Sequence, residues 1–162
     1  MADYRQFIGK ITAKGTLVVE RAPVTNFARA VCDDDPVYRN AEVAWAAGLD
    51  DVPAPPTFGF SIQNWGKWEE LQPSDVPDSN PMMEVMGTLM ASGGIVLHGE
   101  QEFIYHRPLV SGQRLQFEGV VRDIYQKASG DKTMTFMVIE DTYRDDDDNP
   151  VLTSTMNLLH RV

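Results

Sequence analysis

From residue 95 onward the chain alternates apolar and polar side chains in long runs. Residues 95–106, 115–126, 132–144 and 151–162 each read as a strand, because a two-residue period is what a sheet with one buried face requires. They are separated by Pro108 with Ser111-Gly112, by Ser129-Gly130-Asp131 and by the charged run 145–150, all residue types that reverse a chain. Strands of about twelve residues exceed the usual range of roughly 3–10, so the sheet is expected to curve strongly. Before residue 95 the pattern is mixed. Residues 15–21 (GTLVVER) read as a short strand, and Pro23 opens a helix with Val24, Phe27, Ala28 and Val31 at helical spacing. That helix should stop before Asp33-Asp34-Asp35-Pro36. Asn40 caps a second short helix through Ala47, which Gly48 ends. Ala54-Pro55-Pro56-Thr57 forms a rigid lead-in to residues 58–68, the helix predicted to be most buried, with Phe58, Ile62, Trp65 and Trp68 on one side. Residues 73–81, with three Pro and two Asp, read as a loop. The sum is an α+β chain with helices placed early and an antiparallel sheet wrapped around a buried helix.

Composition narrows the function without changing this outline. A chain of 162 residues is the length of one domain and needs no staple for stability. Its lone Cys and the absence of an apolar stretch near residue 1 suggest a reducing cytoplasm. No apolar run approaches the roughly 18 residues of a membrane span. Fourteen Lys and Arg against twenty-four Asp and Glu leave a net charge of −10, which argues against nucleic acid, whose binding needs a basic stripe.

Four features invite chemistry. The run Asp33-Asp34-Asp35-Pro36-Val37-Tyr38 is either a solvated turn with Asp33 or Asp35 as a cap, or a carboxylate held at a helix end facing a pocket; spacing leaves both open. At Pro55-Pro56-Thr57-Phe58-Gly59, the first N–H groups of the following helix lack internal partners and can bind a carbonyl oxygen such as a thioester's, unless Thr57 simply caps a plain helix start. Period-two geometry puts Val96, His98, Glu100, Glu102, Ile104 and His106 on one strand face. A charged strand face of that kind more often meets solvent, an interface or a cross-strand partner than a metal, so no metal is expected. His160 reads as a half-exposed strand residue and Cys32 as a small buried apolar one. Finally, Met82, Met83, Met86 and Met90 either cover a bulky apolar ligand or face the core.

The order of these motifs, followed by Leu97-His98-Gly99-Glu100-Gln101-Glu102-Phe103 and His106-Arg107-Pro108-Leu109-Val110-Ser111-Gly112, resembles the MaoC-like dehydratases, and more closely their fatty-acid-synthase-like dehydratase branch. The resemblance implies a single hot-dog domain over 1–162, with a curved antiparallel sheet wrapped around a long central helix and dimerised edge to edge. It also implies reversible hydration of a trans-2-enoyl thioester to the (R)-3-hydroxyacyl form, without a cofactor, on an acyl group carried by coenzyme A or acyl carrier protein. Catalytic members carry a Gly-Asp-x-Asn-Pro-Ile-His type of motif. Laid on this chain, its Gly falls on Cys32, its Asp on Asp33, its Asn on Asp35, its Pro on Pro36 and its His on Tyr38. Hydration needs a group that takes a proton from water near neutral pH, which suits His (pKa about 6.5) and not Tyr (about 10). By analogy with family members built from two unlike halves, the chain is expected to accommodate the acyl group, with Pro56, Thr57, Phe58, Gly59, Ile62 and Trp65 around the channel, while a second hot-dog subunit supplies the Asp and His pair. The alternatives are a self-sufficient homodimer using Asp33 with His98 or His106, and an acyl-thioester binding protein without turnover. Both carriers are anionic, so a chain at −10 is further expected to meet a complementary subunit or to concentrate its Lys and Arg at the channel mouth.

Overall fold

A computed structural model describes residues 4–74, 80–130 and 132–162. The described residues form five strands, β1 Ile11–Val18, β2 Ile95–Tyr105, β3 Arg114–Ser129, β4 Lys132–Arg144 and β5 Pro150–Arg161. They make one antiparallel sheet in the order β1-β3-β4-β5-β2, so β1 and β2 are its two edges. The four long strands and their turns fall where the alternation predicts them. The first strand starts earlier than expected and ends at Val18, because residues 11–18 pair with Val120 through Arg114 despite their weak alternation.

Helix α1 (Arg21–Ala30) carries Pro23 in its first turn, where a missing N–H costs nothing, and buries Val24 and Ala28. Val31, expected on the same apolar face, lies just past the helix and is exposed. In α2 (Ala41–Ala46) the Asn40 side chain accepts the Glu42 N–H at 2.9 Å, and Gly48 ends the segment at φ +81°, as its sequence predicts.

The long helix expected over 58–68 is not continuous. It is a single 3-10 turn at Phe58–Phe60 followed by the four-residue α3, Ile62–Trp65. Gly66 supplies the reason: its carbonyl accepts the Val18 N–H at 2.9 Å, and a Cβ on it would lie 2.4 Å from the Val18 oxygen. Docking against the end of β1 thus draws the chain out of the helix. Buried Phe58 and Ile62 nevertheless occupy the concave side of the sheet, with Leu17, Val24, Leu115, Phe117, Tyr143 and Leu152.

A helix not foreseen from the pattern, α4 (Pro81–Ala91), is the longest among the described residues. Asn80 caps it by accepting the Met82 N–H at 2.9 Å, Pro81 opens it, and Pro81, Val85 and Leu89 bury one side. This stripe meets Phe7, Val121, Ile124, Met137 and Ile139 in a second apolar cluster. Met82 and Met86 pack against that cluster, the core-facing alternative, while Met83 and Met90 are exposed. The loop expected over 73–81 has its central residues, 75–79, outside the described ones. Burying a side chain of this size contributes about 1.5–3 kcal/mol, so both clusters matter to stability.

Candidate functional site

The segment after Ala54 is held in place by β2. The Tyr105 hydroxyl donates to the Pro56 carbonyl and accepts the Gly59 N–H, and burial raises the phenol to about 12. Within the turn, the Phe58 N–H donates to the Pro55 carbonyl at 2.9 Å and the Phe60 N–H to the Thr57 carbonyl at 3.2 Å. The N–H groups of Phe58, Gly59 and Phe60 are therefore already bonded, and the Thr57 side chain makes no capping bond. Neither the free helix start nor the Thr57 cap suggested by the sequence is found. Phe58, Gly59 and Ile62 are buried, whereas Pro56, Thr57 and Trp65 are exposed. The Phe58 ring sits between Phe27 at 5.5 Å and Trp65 at 6.2 Å. An apolar cleft of about 380 Å³ opens beside Pro56, lined also by Pro53, Ala54, Tyr105 and Leu109.

The acidic turn follows α1, whose Phe27 packs on Phe58. Cys32 adopts φ +60°, the left-handed conformation for which Gly is the default, and the resemblance to the family lays the motif's Gly at this position. It is exposed, not buried as its residue type suggests, because this reversal turns it outward from the end of α1. The Asp33 carboxylate accepts the Asp35 N–H at 3.1 Å, and Asp35 in turn accepts the Val37 N–H at 2.9 Å and caps the 3-10 turn Pro36–Tyr38. Tyr38 is half-buried, and its carbonyl accepts from the Thr25 hydroxyl at 3.1 Å. Burial, with the charges of Asp33 and Asp35 adding, pushes the Tyr38 phenol above its ordinary value.

The His and Glu face expected on β2 is divided. A bulge at Gly99 shifts the pairing between His98 and Glu100, which breaks the period-two alternation there. His98 therefore leaves the face of Glu100, Glu102 and His106; its ring lies 5.1 Å from Phe60, while His106 bonds Thr153 at 3.0 Å. His160 is buried rather than half-exposed, held by the Gly93 carbonyl at 2.7 Å. Among the described residues no three His, Cys, Asp or Glu side chains come together to hold a metal.

Sequence reasoning missed a second carboxyl, Asp141. It lies on β4 in phase with the inward-facing Thr135, Met137, Ile139 and Tyr143, and that phase was the available signal. Burial raises its carboxyl to about 6, against a hydrogen bond from Gln63 of α3 that lowers it; the charge of Glu140 adds to the rise. The Gln63 amide donates to the Tyr143 hydroxyl at 2.8 Å, and burial holds that phenol protonated throughout the ordinary range. A Cβ on Gly119, opposite Asp141, would lie 2.3 Å from the Asp141 carboxylate and 2.7 Å from the Thr12 hydroxyl, so the glycine makes room for both. On the other side Asp141 pairs with Ser154, whose hydroxyl accepts from Gln101 of β2 at 2.7 Å. Thr12, Gln63, Gln101, Asp141, Tyr143 and Ser154 line a half-open cleft of about 270 Å³ that extends to Gly59 and Phe60.

Surface charge is arranged unevenly. Arg107, Arg114 and Arg144 meet Asp145, Asp146 and Asp148 at 2.7, 3.9 and 3.6 Å, and the Arg107 guanidinium holds Asp145 down at about 2. The acidic turn between β4 and β5 is thereby spent on arginines at the ends of three strands.

A strongly curved antiparallel sheet with short helices packed in its concavity defines a hot-dog fold, and solved structures agree. One chain of the truncated HadBC (3R-hydroxyacyl-ACP dehydratase) complex of Mycobacterium tuberculosis superposes with a TM-score of 0.68 at 20% identity, covering 94% of this chain and 96% of that one. A chain of the ChsH1-ChsH2 complex of the same organism gives 0.69 at 23%, over 89% and 80%. A MaoC-like dehydratase gives 0.72 at 23%, over 98% of this chain and 43% of that longer one. Residues 6–154 match the family described as the FAS1-like dehydratase domain region, and the chain belongs to that family. Its relatives include a UPF0336 protein of Saccharopolyspora erythraea, 32% identical over 143 residues (88% of this chain, 81% of the relative), and one of Streptomyces avermitilis, 34% identical over 113 residues (70% and 67%). Among the described residues no helix is long and apolar enough to cross a membrane.

Proposed function

We propose that the chain is the acyl-accommodating subunit of a cytoplasmic (R)-specific enoyl-thioester hydratase, or 3-hydroxyacyl-thioester dehydratase, and that a second hot-dog subunit provides the Asp and His pair. The observation that carries this reading is Tyr38. Hydration removes a proton from water as the C3–O bond forms and returns a proton to C2. A phenol raised above 10 by burial and two carboxylates stays protonated at neutral pH, so it can hold a water but cannot deprotonate one. Asp33 alone, bonded to backbone, lacks the imidazole that would relay the proton.

The carbon chain is assigned to the segment of Pro56, Thr57, Phe58, Gly59, Ile62 and Trp65, with exposed Trp65 and Trp68 as apolar surface beside it. Edge strand β2, with Ile95, Leu97 and Ile104 exposed, supports docking of the partner along that edge. The arginines tied to the Asp145–Asp148 turn leave fewer cations for an anionic carrier, so the partner is assigned the positive surface that meets coenzyme A or acyl carrier protein. HadBC and ChsH1-ChsH2 are complexes of this fold, which makes a two-chain enzyme a natural precedent.

The test is turnover of crotonyl-CoA and of longer enoyl-CoA by the purified chain, alone and after mixing with a hot-dog subunit that carries the complete motif. Hydration only in the mixture supports the proposal. Full activity from the chain alone, abolished by Asp33→Ala, would establish the homodimeric enzyme instead, and binding without turnover in either case would leave a thioester-binding protein.

A further inference from the structure

An antiparallel sheet packed on one side commonly turns polar side chains outward on the other. On β3, β4 and β5 the inward residues Ile124, Met137 and Leu158 pack in the apolar cluster that holds Val85 and Leu89 of α4. Their chain neighbours Tyr125, Phe136 and Leu159 therefore face outward. Register sets these three in line, Tyr125 opposite Phe136 and Phe136 opposite Leu159, and Leu159 pairs in turn with Leu97 of the edge strand β2. One apolar row thus crosses four strands on the outer face of the sheet. The Tyr125 and Phe136 rings stack at 4.9 Å; Tyr125, Phe136 and Leu159 are half-buried, and Leu97 is exposed.

The outward rows on either side of it carry opposite charge. Toward the β3–β4 turn the next row holds Lys127 and Arg161 with Met134 between them. On the far side it holds Asp123 and Glu100, with Val138 and Asn157 between. Lys127 also lies over the two rings, 5.2 Å from the centroid of Tyr125 and 5.3 Å from that of Phe136. A partner of uniform charge, such as an acidic helix or an anionic lipid surface, would match one flanking row and be repelled by the other. A second copy of this chain, related by a twofold axis lying along the apolar row, matches both. That rotation reverses the strand direction, so the basic row of one copy falls over the acidic row of the other while the apolar rows meet. Lys127 then comes over Asp123 of the second copy, and Met134 over its Val138.

We propose that the outer face of β3, β4, β5 and β2 is a self-docking surface, on which two copies of this chain pack sheet to sheet about a twofold axis along the row of Tyr125, Phe136, Leu159 and Leu97. The contact goes beyond the acyl-accommodating role and does not depend on it. It also leaves the β2 edge to the second hot-dog subunit, because packing on the outer face uses side chains and none of that strand's backbone N–H or C=O groups. Two two-subunit units can therefore join back to back. Area sets the strength: four strands about 4.8 Å apart and three outward rows about 6.8 Å apart cover roughly 400 Å² per copy, or roughly 800 Å² in all. A stable complex buries about 1,200–2,000 Å², so this dimer is reversible, with a dissociation constant on the order of tens of micromolar.

Sedimentation equilibrium of the purified full-length chain at about 0.15 M salt provides the test. The weight-average mass should rise through a reversible doubling as the concentration goes from about 1 µM to about 1 mM. Phe136→Glu, checked for folding by thermal melting, should abolish the doubling over that range. Lys127→Glu should weaken it about tenfold, since the twofold axis repeats the new repulsion from Asp123 at two contacts. Lys127→Glu combined with Asp123→Lys puts opposite charges back across the axis and should recover the association to within about threefold of the unsubstituted chain. A mass that stays constant, a doubling untouched by either single substitution, or a loss that the double reversal fails to recover overturns the assignment. An untouched doubling would belong to the β2 edge, from which Phe136 and Lys127 lie two and three strands away. None of these outcomes bears on hydration, so the acyl reading stands or falls by its own turnover assay.

Discussion

Asp33 follows the helix whose Phe27 packs on Phe58, and Asp141 lines the cleft that reaches Gly59, yet the fold treats these two carboxylates in opposite ways. Asp33 lies in a short turn and bonds the N–H of a residue two positions away. Asp141 faces the concave side of the sheet, hydrogen-bonds a glutamine from another element and is raised by burial to about 6. The first is part of a local motif and is recognisable by type and order alone. The second exists only through register, since Gly119, Ser154 and Gln101 come to it from three other strands. A motif is therefore legible in one stretch of sequence, whereas an inward-phased polar residue gains its surroundings only when the strands pair.

The contrast can be broken most forcefully by neutralising each carboxylate. A carboxyl held at about 6 when folded, against roughly 3.9 unfolded, keeps its proton longer in the native state. Between those values the folded protein binds more protons, so stability falls as pH rises through about 6, by up to about 3 kcal/mol. The charge of Glu140 adds to the rise of the Asp141 carboxyl, and the charge of Asp141 in turn adds to the rise of the Tyr143 phenol. Asp141→Asn should therefore raise the denaturation midpoint strongly at pH about 8 and little at pH about 4, measured by urea unfolding across pH. A midpoint shift independent of pH would mean that Asp141 ionises normally.

Next in size is Gly119→Ala. Its methyl meets the Asp141 carboxylate and the Thr12 hydroxyl, and overpacking of this kind costs about 1–3 kcal/mol. The loss should shrink in an Asp141→Ala background, as a double-mutant cycle on thermal unfolding would show. Additive effects would disconnect the two residues.

The acidic turn should respond less. Asp35→Ala removes the bond to the Val37 N–H and the cap of the 3-10 turn, at a cost of about 1 kcal/mol in thermal unfolding. Smallest of all is Tyr38→Phe, which leaves the backbone bond from Thr25 intact and should change both stability and the turnover of the two-subunit complex by less than about threefold. A large loss of turnover would give the phenol a direct part in the chemistry.

How far the sequence could be read follows the same division. The long strands and their turns were legible because period-two alternation and turn residues are local signals. The family resemblance was legible for the same reason; the left-handed backbone at Cys32 is the conformation that Gly favours, the residue the resemblance lays there. The helix over 58–68 was overread, since its apolar spacing is real but Gly66 docks against Val18, a contact 48 residues distant that no local pattern reports. Helix α4 was missed because Met and Gly, beside a Pro-rich stretch, mask the spacing of Pro81, Val85 and Leu89. The presumed face of His98 with Glu100, Glu102 and His106 failed at a one-residue bulge, which flips every side chain beyond it. Asp141 was hidden for a related reason: it is an ordinary residue in its own strand, and only pairing sets it between Gly119 and Ser154.

The division of labour between two subunits remains the central claim, and the most direct measurement is kcat for enoyl-thioester hydration by the reconstituted complex carrying Asp33→Ala in this chain. If the chain accommodates the acyl group and the partner does the chemistry, kcat stays within about threefold of the unsubstituted complex, while the equivalent change in the partner's own motif abolishes turnover. A loss of about a hundredfold or more from Asp33→Ala, with binding of the saturated thioester unchanged, would place the catalytic carboxylate in this chain and contradict the account.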